Sequence, residues 1–576
     1  MGGKQMKKRS MLMLAALMLV LSAFLAACSS GEKTGTTKNE NEGKPSETAG
    51  KPQDGGTLVY ALDSAPEGKF NYSFYGNATD QYVIDFFDEN LIDYDENLKA
   101  QPHIASWKTA DNKVFDFEIK QGVKWHNGEE LSVKDWEFAL KVIADRDYDG
   151  PRFDNVRNVV GAQDYHDGKA KEIAGIKVVD DYHIQISFDK ARVNNLDNLW
   201  TYPMNRTEFK GLAVKDMMGS EQVRTKPVGL GPFKVTKINP GESVEMERFD
   251  DYFGGKPHIE KVVIKVIDPS LSVGELKNGT LDMTSFHPSI IDQVKALDNV
   301  NAVTYPGVSY YYVGFRLGTW DGEKNVMNEP KYQEKKLREA MYYAINREEW
   351  VKAFFFGVGK PVNRPIPTNH WIAAPNEELE QYKYDPEKAK ALLDEAGYKD
   401  VNGDGFREDP NGKKFVVNFS HYATDNPTFE ARAKAMTQYW EEVGLKTKLT
   451  MTDVNLYYEM LDKADKSMEV FFGGWSTGTD PDPTPLWGSK AIWNYPRWVN
   501  ADSDKLLDQA LDINVVGTDS NKRKDLYVQW QKLFMQELPA LPIAELEETM
   551  AVSKRVQDVK FDVSGMNRPN EWWIKQ

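Results

Sequence analysis

Two segments of the chain carry side chains whose types and spacing could bind an ion or a small ligand. In segment 400–408, oxygen-bearing side chains occupy the first, third and fifth positions and glycine the sixth. This spacing is typical of the first half of a calcium loop, in which glycine allows the sharp turn and hard oxygens suit the ion. Asn411 replaces the usual last glutamate, so we expect at most weak, structural calcium binding, and a metal-free turn explains the same residues. The candidate positions are Asp400, Asn402, Asp404, Phe406 and Glu408.

The second segment, 473–484, is rich in glycine and interrupted by prolines. It follows residues 469–472, which predict a buried strand, and loops after strands often carry binding groups. Trp475 is a candidate for lining a ligand cleft, with core packing as the alternative. Asp480 and Asp482 are candidates for pairing with a ligand ammonium, because a buried ammonium needs a carboxylate. Asp480 could equally be a turn residue before Pro481.

An exported hydrolase is the rival to a binding protein. The eight histidines form no His-Glu-x-x-His pair, and the chain has a single cysteine. Paired catalytic carboxylates have no fixed spacing, so the hydrolase stays open as the less favoured alternative. We expect a protein that is not an enzyme and that requires no cofactor.

The single cysteine, Cys28, follows a segment with the order of a secretory signal. Four cations precede an apolar run over residues 11–25. Residues 25–28, Leu-Ala-Ala-Cys, resemble the lipobox of bacterial lipoproteins, in which the cysteine thiol carries a diacylglycerol. We therefore expect residues 1–27 to be a signal peptide and Cys28 to be lipidated, with an uncleaved anchor as the alternative. Two acyl chains are enough for durable anchoring to a bilayer.

Residues 28–52 predict a disordered tether. They are rich in Gly, Ser, Thr, Lys and Glu and contain almost no large apolar side chain. Such a composition cannot offset the entropy lost on ordering. The tether would hold the folded body away from the membrane surface.

Composition limits the class of partner. The formal net charge is −16 and no basic stripe follows the signal, which argues against nucleic acid. The 15 Trp, 26 Tyr and 27 Phe suit both a large core and an amphipathic ligand cavity. More than 500 residues after the tether predict two or three domains.

The elements that must position these residues alternate between strands and helices. Residues 115–119 and 182–188 alternate apolar and polar side chains, as half-buried strands do. Residues 337–345 carry one apolar helical stripe, and 386–396 begin after Asp385 as N-cap and end before Gly397. A further helix over 429–443 and a strand over 445–451 complete the pattern. This alternation predicts an α/β fold.

The ordered motifs of the body resemble those of extracellular solute-binding proteins of family 5, which include the oligopeptide-binding and dipeptide-binding proteins of ABC importers. Residues 229–233, Gly-Leu-Gly-Pro-Phe, are similar to the family's Gly-x-Gly-Pro-Phe turn. Asn346 departs from the family's aspartate. The matching segments, in the family's order, are 120–128, 132–136, 227–233, 251–257, 276–282, 336–347 and 384–398.

This resemblance implies a two-lobed, periplasmic-binding-protein-like clamshell of type II that closes on its ligand. The first lobe would comprise 53–95, 220–308 and 540–576, with an inserted subdomain over 96–219. The second lobe would be 309–539. Tyr310, Tyr311 and Tyr312 match the strand that begins the second lobe beside the cleft, and all three are candidates for ligand binding. Alternation puts Tyr311 on the opposite face from the other two.

The resemblance also implies capture of oligopeptides and delivery to the permease subunits of an ABC importer. In peptide-binding relatives an aspartate three residues after the tryptophan pairs with the ligand's α-ammonium, but Gly478 stands there. The same fold binding an oligosaccharide, a metal chelate or haem is therefore the alternative. We expect a monomer anchored on the outer face of the cell membrane of a Gram-positive bacterium.

Overall fold

The computed structural model describes residues 51–423, 428–517 and 519–576. The predicted signal peptide, Cys28 and nearly all of the tether lie outside these residues. Within the described ranges, no helix combines the length and the apolar character needed to cross a bilayer.

A seven-stranded sheet, which we call the first sheet, lies near both ends of the described chain. Strand Thr57–Leu62 pairs in parallel with its neighbours on both sides, and the outer strands pair antiparallel. Leu58, Met246, Val262, Ile264 and Met283 of this sheet are fully buried. The strand order is Val300–Tyr305, Glu548–Ser553, Met283–Ser285, Thr57–Leu62, Lys261–Val266, Ser243–Arg248 and Phe233–Asn239.

A four-stranded antiparallel sheet, the small sheet, lies within the segment predicted as an insertion. Its strands are Ala105–Thr109, Val114–Ile119, His183–Ser187 and Ile176–Val178, in that spatial order. Phe115, Phe117 and Ile119 are buried, as the alternating pattern predicted. The small sheet and the first sheet contribute to one hydrophobic core, so we call them together the first lobe.

A six-stranded mixed sheet, the second sheet, has its own hydrophobic core and forms the second lobe. Strand Ser309–Phe315 pairs on one side with Val470–Ser476 and on the other with Ala540–Leu546. The strand order is Gly359–Pro361, Ala540–Leu546, Ser309–Phe315, Val470–Ser476, Val417–Ala423 and Thr447–Asp453.

The helices carry the predicted signals at their ends. The helix Pro386–Glu395 has Asp385 as its N-cap, whose side chain accepts a hydrogen bond from the Lys388 amide, and Gly397 follows with φ +85°. Helices Lys335–Tyr343 and Thr428–Glu442 confirm the other two predicted helices. The remaining α-helices are Ala78–Ile84, Val133–Ala144, Ala162–His166, Val214–Met217, Glu221–Arg224, Ser272–Asn278, Ile291–Lys295, Arg347–Phe354, Val454–Asp462, Thr484–Trp487, Ala501–Leu511, Ile513–Val516 and Ser520–Glu537.

Short two-stranded pairs and 3₁₀ turns complete the described elements. The pairs are Ile92–Tyr94 with Ala100–Pro102, Thr319–Trp320 with Asn325–Val326, Val556–Gln557 with Trp573–Ile574, and Phe561–Asp562 with Gly565–Met566. The 3₁₀ turns are Phe153–Asn155, Pro269–Leu271, Pro288–Ile290, Pro330–Tyr332, Asn376–Glu378 and Pro569–Glu571.

The chain crosses between the two large sheets at two adjacent places. The first crossing, 306–308, follows strand Val300–Tyr305, and the second, at Glu547, precedes strand Glu548–Ser553. Pairing of residues 540–546 with the second sheet corrects the predicted boundary at 540, because the return to the first sheet begins only at Glu548. A Cβ on Gly307 would lie 3.0 Å from the Leu546 carbonyl oxygen, so glycine suits this crowded crossing.

Candidate functional site

The two lobes contact each other directly around residues 192–194. The Val193 amide donates to the Leu511 carbonyl at 3.3 Å, and Arg192 forms an antiparallel bridge with Asp512. Asn194 Nδ2 lies 3.5 Å from Asp480 Oδ1. Because 192–194 follow the small sheet and 480 and 511–512 belong to the second lobe, these contacts close one end of the space between the lobes.

Asp480 forms a buried ion pair inside the second lobe. Arg523 Nη2 donates to Asp480 Oδ1 at 3.0 Å and Oδ2 at 2.8 Å, and each side chain is only 9% exposed. Asp480 Oδ1 also accepts from the Asp482 amide at 2.9 Å, so it forms a turn as well. The carboxylate predicted to meet a ligand ammonium therefore already has a cationic partner.

Two further carboxylates lie close to this pair. Asp482 accepts hydrogen bonds from the amide and hydroxyl of Thr484 at the start of the helix Thr484–Trp487. Burial and the charge of Asp480 raise the pKa of Asp482 to about 6. The same two causes raise the pKa of Asp197, in the first lobe, to about 7.

Tyr94 connects the lobes at this end. Its hydroxyl interacts with Thr479 of the second lobe and with Asp197 of the first. Burial and the charge of Asp197 raise the pKa of Tyr94 well above its ordinary value. The interlobe cluster is thus Tyr94, Asn194 and Asp197 of the first lobe with Thr479, Asp480 and Arg523 of the second.

Trp475 lies in strand Val470–Ser476 and not in a loop, because the strand continues past the predicted end at residue 472. Its indole is half-buried and stacks on Tyr495, with ring centroids 5.1 Å apart. Residues 474–478, Gly-Trp-Ser-Thr-Gly, match the nucleophile pattern of many hydrolases. That pattern requires a strand–turn–helix junction, whereas Ser476 ends an extended strand.

The three consecutive tyrosines divide between two faces of strand Ser309–Phe315, as predicted. Tyr310 and Tyr312 are buried in the core of the second lobe, where Trp487 Nε1 donates to the Tyr310 hydroxyl at 3.0 Å. Tyr311 is only half-buried and stacks on Phe472 at 5.7 Å. Of the three, Tyr311 is on the more open face.

Tyr311 marks a second place where the lobes approach each other. Burial and, after it, Tyr422 raise the pKa of Tyr311, while Arg432 lowers it. The charge of Glu548, an exposed residue of the first sheet, adds a smaller upward contribution. In the first lobe, burial and, after it, the charge of Glu548 raise the pKa of Tyr82 and the pKa of Tyr305. Glu548 therefore faces side chains of both lobes.

Asp85 of the first lobe acts on Tyr82, on which Glu548 also acts, and it was not among the predicted residues. It is the C-cap of the helix Ala78–Ile84 and has an exposed side chain that accepts from the Tyr72 hydroxyl at 2.6 Å. Surrounding protein nevertheless desolvates it and raises its pKa to about 7. The sequence signal that could have found it is an acid directly after a short helix, where the helix dipole disfavours negative charge.

Four tyrosines surround Asp85. The rings of Tyr72 and Tyr202 lie 3.9 Å apart between centroids, and those of Tyr72 and Tyr75 6.0 Å apart. Burial and, after it, the charge of Asp85 raise the pKa of Tyr202. The charge of Asp85 also raises the pKa of Tyr82, after burial and Glu548, and Tyr82 is 38% exposed. We call Asp85 with Tyr72, Tyr75, Tyr82 and Tyr202 the tyrosine–aspartate wall.

The predicted calcium loop is a turn whose oxygens accept backbone hydrogen bonds. The Asp400 carboxylate accepts from the amides of Gly403 and Gly405 at 2.7 and 3.0 Å. Glu408 is buried and accepts from the Val401 amide at 2.9 Å. Across the described ranges no group of three His, Cys, Asp or Glu side chains is arranged to hold a metal, so calcium binding stays a prediction.

The chain has two lobes with separate cores, and two adjacent crossings join them. Tyrosines line the space where the lobes face each other. These features are typical of a binding protein that holds its ligand between two lobes. The chain belongs to the bacterial extracellular solute-binding proteins of family 5, because the model of that family's middle region matches residues 99–494. Members of this family are binding proteins and not enzymes. The fold is the type II clamshell expected from the motifs.

Three relatives illustrate the family. Oligopeptide-binding protein AppA of Bacillus subtilis is 27% identical over 99% of both chains, and its structure with a nonapeptide matches with TM-score 0.72 and 25% identity over 91% of this chain and all of the other. Lactococcal OppA, solved with an endogenous peptide, matches with TM-score 0.77 and 24% identity over 90% and 100%. Heme-binding protein A of Haemophilus influenzae is 26% identical over 96% of both chains.

Proposed function

We propose that this protein captures oligopeptides between its two lobes and delivers them to the permease of an ABC importer. The observation that carries the proposal is the match to AppA along nearly the whole of both chains, together with the nonapeptide in the AppA structure. The space between the lobes suits a peptide. Its first-lobe wall carries tyrosines, which supply apolar area and polar tips, and its ends carry carboxylates.

The ligand backbone provides most of the recognition in this proposal. Extended peptides are held by main-chain hydrogen bonds, which are indifferent to sequence. Asp480 contributes by holding the loop 477–484 through Arg523 and the Asp482 amide, and not by pairing with the ligand. Tyr311 and Trp475 remain candidates for contact with the ligand on the second-lobe side.

Membrane attachment through Cys28 belongs to the same proposal. Lipidation would keep the protein, acting as a monomer, on the extracytoplasmic face of a Gram-positive cell membrane near its permease. Labelling cells with a tritiated fatty acid tests this directly. The wild-type protein is expected to take up label, and the Cys28→Ser variant is expected to take up none.

Mass spectrometry of the ligand that co-purifies with the protein tests the peptide proposal. The expected result is a mixture of peptides of varied sequence. Recovery of an oligosaccharide or a metal complex with no peptide would contradict it. The haem alternative, which the similarity to Heme-binding protein A favours, predicts an iron porphyrin in the same experiment.

A further inference from the structure

We propose that Asp85 is the anchor for a primary ammonium group of the bound ligand, and that the four tyrosines around it form the walls of that subsite. The inference rests on the proposed peptide function, which it makes more specific. The ammonium could be the α-amino group of a peptide or the side chain of a lysine, which have the same chemistry.

The first argument is the lack of a protein cation beside Asp85. Within residues 51–423, 428–517 and 519–576, its side chain makes one hydrogen bond, from the Tyr72 hydroxyl, and no ion pair. Glu89, the other charge acting on it, is also acidic. Asp480, by contrast, already has Arg523 as its cationic partner. Asp85 therefore retains acceptor capacity for an incoming donor.

The second argument is that a negative charge at Asp85 is destabilising in the protein without ligand. A carboxylate at a helix C-terminus opposes the helix dipole, and the last turn of Ala78–Ile84 carries no basic residue. Enclosure by protein adds a desolvation cost, seen in the raised pKa of Asp85. A bound ammonium would offset both effects.

The third argument is the chemistry of the surrounding rings. Faces of tyrosine rings attract cations, and this attraction strengthens where water is displaced. Tyr72 packs against both Tyr75 and Tyr202, the Arg152 guanidinium already lies over the Tyr75 ring at 4.4 Å, and Tyr82 remains partly exposed. The exposed carboxylate therefore lies among aromatic rings, as in sites that recognise ammonium ligands.

In the facing loop of the second lobe, residue 478 is glycine and Asp480 is paired with Arg523. The tyrosine–aspartate wall would provide a carboxylate without a cationic partner from the opposite lobe. Ligand cations would then bind the first lobe before closure.

Equilibrium dialysis at about pH 7.5, where amines are at least partly protonated, tests the inference with three mixtures of synthetic nonapeptides. Peptides of the first mixture have free N-termini and contain no lysine or arginine, so their only amine is the α-amino group. Peptides of the second mixture are N-acetylated and contain no lysine or arginine, so they carry no amine. Peptides of the third mixture are N-acetylated and contain one lysine, so their only amine is the lysine side chain. Retained peptide is quantified by mass spectrometry for the wild type, Asp85→Asn and Asp116→Asn. Asp116, an exposed residue of the small sheet, is the matched control.

Asp85→Asn keeps a side-chain oxygen that can accept from the Tyr72 hydroxyl, so this variant is expected to fold. We expect the wild type and Asp116→Asn to retain an amine-bearing mixture about ten-fold better than the second mixture, and Asp85→Asn to lose this preference. Preference for the first mixture identifies the α-ammonium, and preference for the third alone identifies the lysine side chain. An unchanged preference in Asp85→Asn would overturn the inference, and so would a wild type with no preference for amines. Retention of no peptide by the wild type would overturn the proposed function together with it.

Discussion

Arg523 holds both carboxylate oxygens of Asp480 with a single nitrogen, Nη2, at 3.0 and 2.8 Å. Both side chains are almost fully buried. The pair joins the helix Ser520–Glu537 to the loop that faces the first lobe. It gives Asp480 a structural role that its position in the sequence does not reveal.

Breaking this pair is expected to destabilise the second lobe strongly. Arg523→Met leaves Asp480 buried without a cation, which costs about 3–5 kcal/mol of unfolding free energy. Urea unfolding measures the loss. Lys226→Met removes a cation from the exposed pair with Glu221 and is expected to cost at most about 1 kcal/mol. A loss for Arg523→Met no larger than for Lys226→Met would show that the pair contributes little.

The buried carboxyl of Asp88 is expected to make the free energy of unfolding depend on pH. Burial raises the pKa of this first-lobe carboxyl to about 8, so its ionisation opposes folding increasingly as pH rises from about 4 to 8. Both hydrogen bonds that it accepts, from the amides of Glu89 and Leu230, reach Oδ1, which asparagine retains. Asp88→Asn is therefore expected to raise Tm more at pH 9 than at pH 5. Calorimetry at both pH values measures this, and an equal change at the two would contradict the assignment.

Tyr94 is expected to slow ligand release. Its hydroxyl interacts with Thr479 across the lobes, and an interaction worth about 1 kcal/mol corresponds to a roughly five-fold faster dissociation when it is lost. Stopped-flow dissociation of a labelled peptide compares Tyr94→Phe with the wild type. Tyr384→Phe, at a 43% exposed position, is the control and is expected to leave the rate unchanged. Equal dissociation rates for all three proteins would show that the Tyr94 hydroxyl does not help to hold the lobes closed.

The calcium loop gives a further expectation. Millimolar calcium is expected to raise Tm slightly in the wild type, because a weak site adds stability only near or above its Kd. Asp400→Asn is expected to abolish the shift, since it removes a negative charge from the first ligand position. Scanning calorimetry with calcium, and with magnesium as the control ion, measures it. An absent shift in the wild type would leave segment 400–408 as a metal-free turn.

Local signals predicted much of the fold. The Asp385 cap, the Gly397 stop and the alternation around Phe117 depend on neighbours in the chain, and all three are confirmed. The boundary at 540 was wrong because residues 540–546 and 548–553 are both apolar strands separated by one residue. Only pairing with strands more than 170 residues away assigns them to different sheets.

The site was less predictable for the same reason. Asp480 was found from its loop, but its role depends on Arg523, 43 residues later. Asp85 was marked only as an acid directly after a short helix, because its surroundings are made by Tyr72 before it and Tyr202 far after it. When a binding surface is built from side chains of separate segments, those residues have no recognisable spacing in the sequence.

The two adjacent crossings at 306–308 and Glu547 have a mechanical consequence. Tyr305 pairs with Glu548 on one side of the crossings and Tyr310 with Glu545 on the other, so the lobes are joined by a double ribbon. A single protease cut within 306–308 would leave the lobes covalently linked through Glu547, and the nicked protein should still open and close.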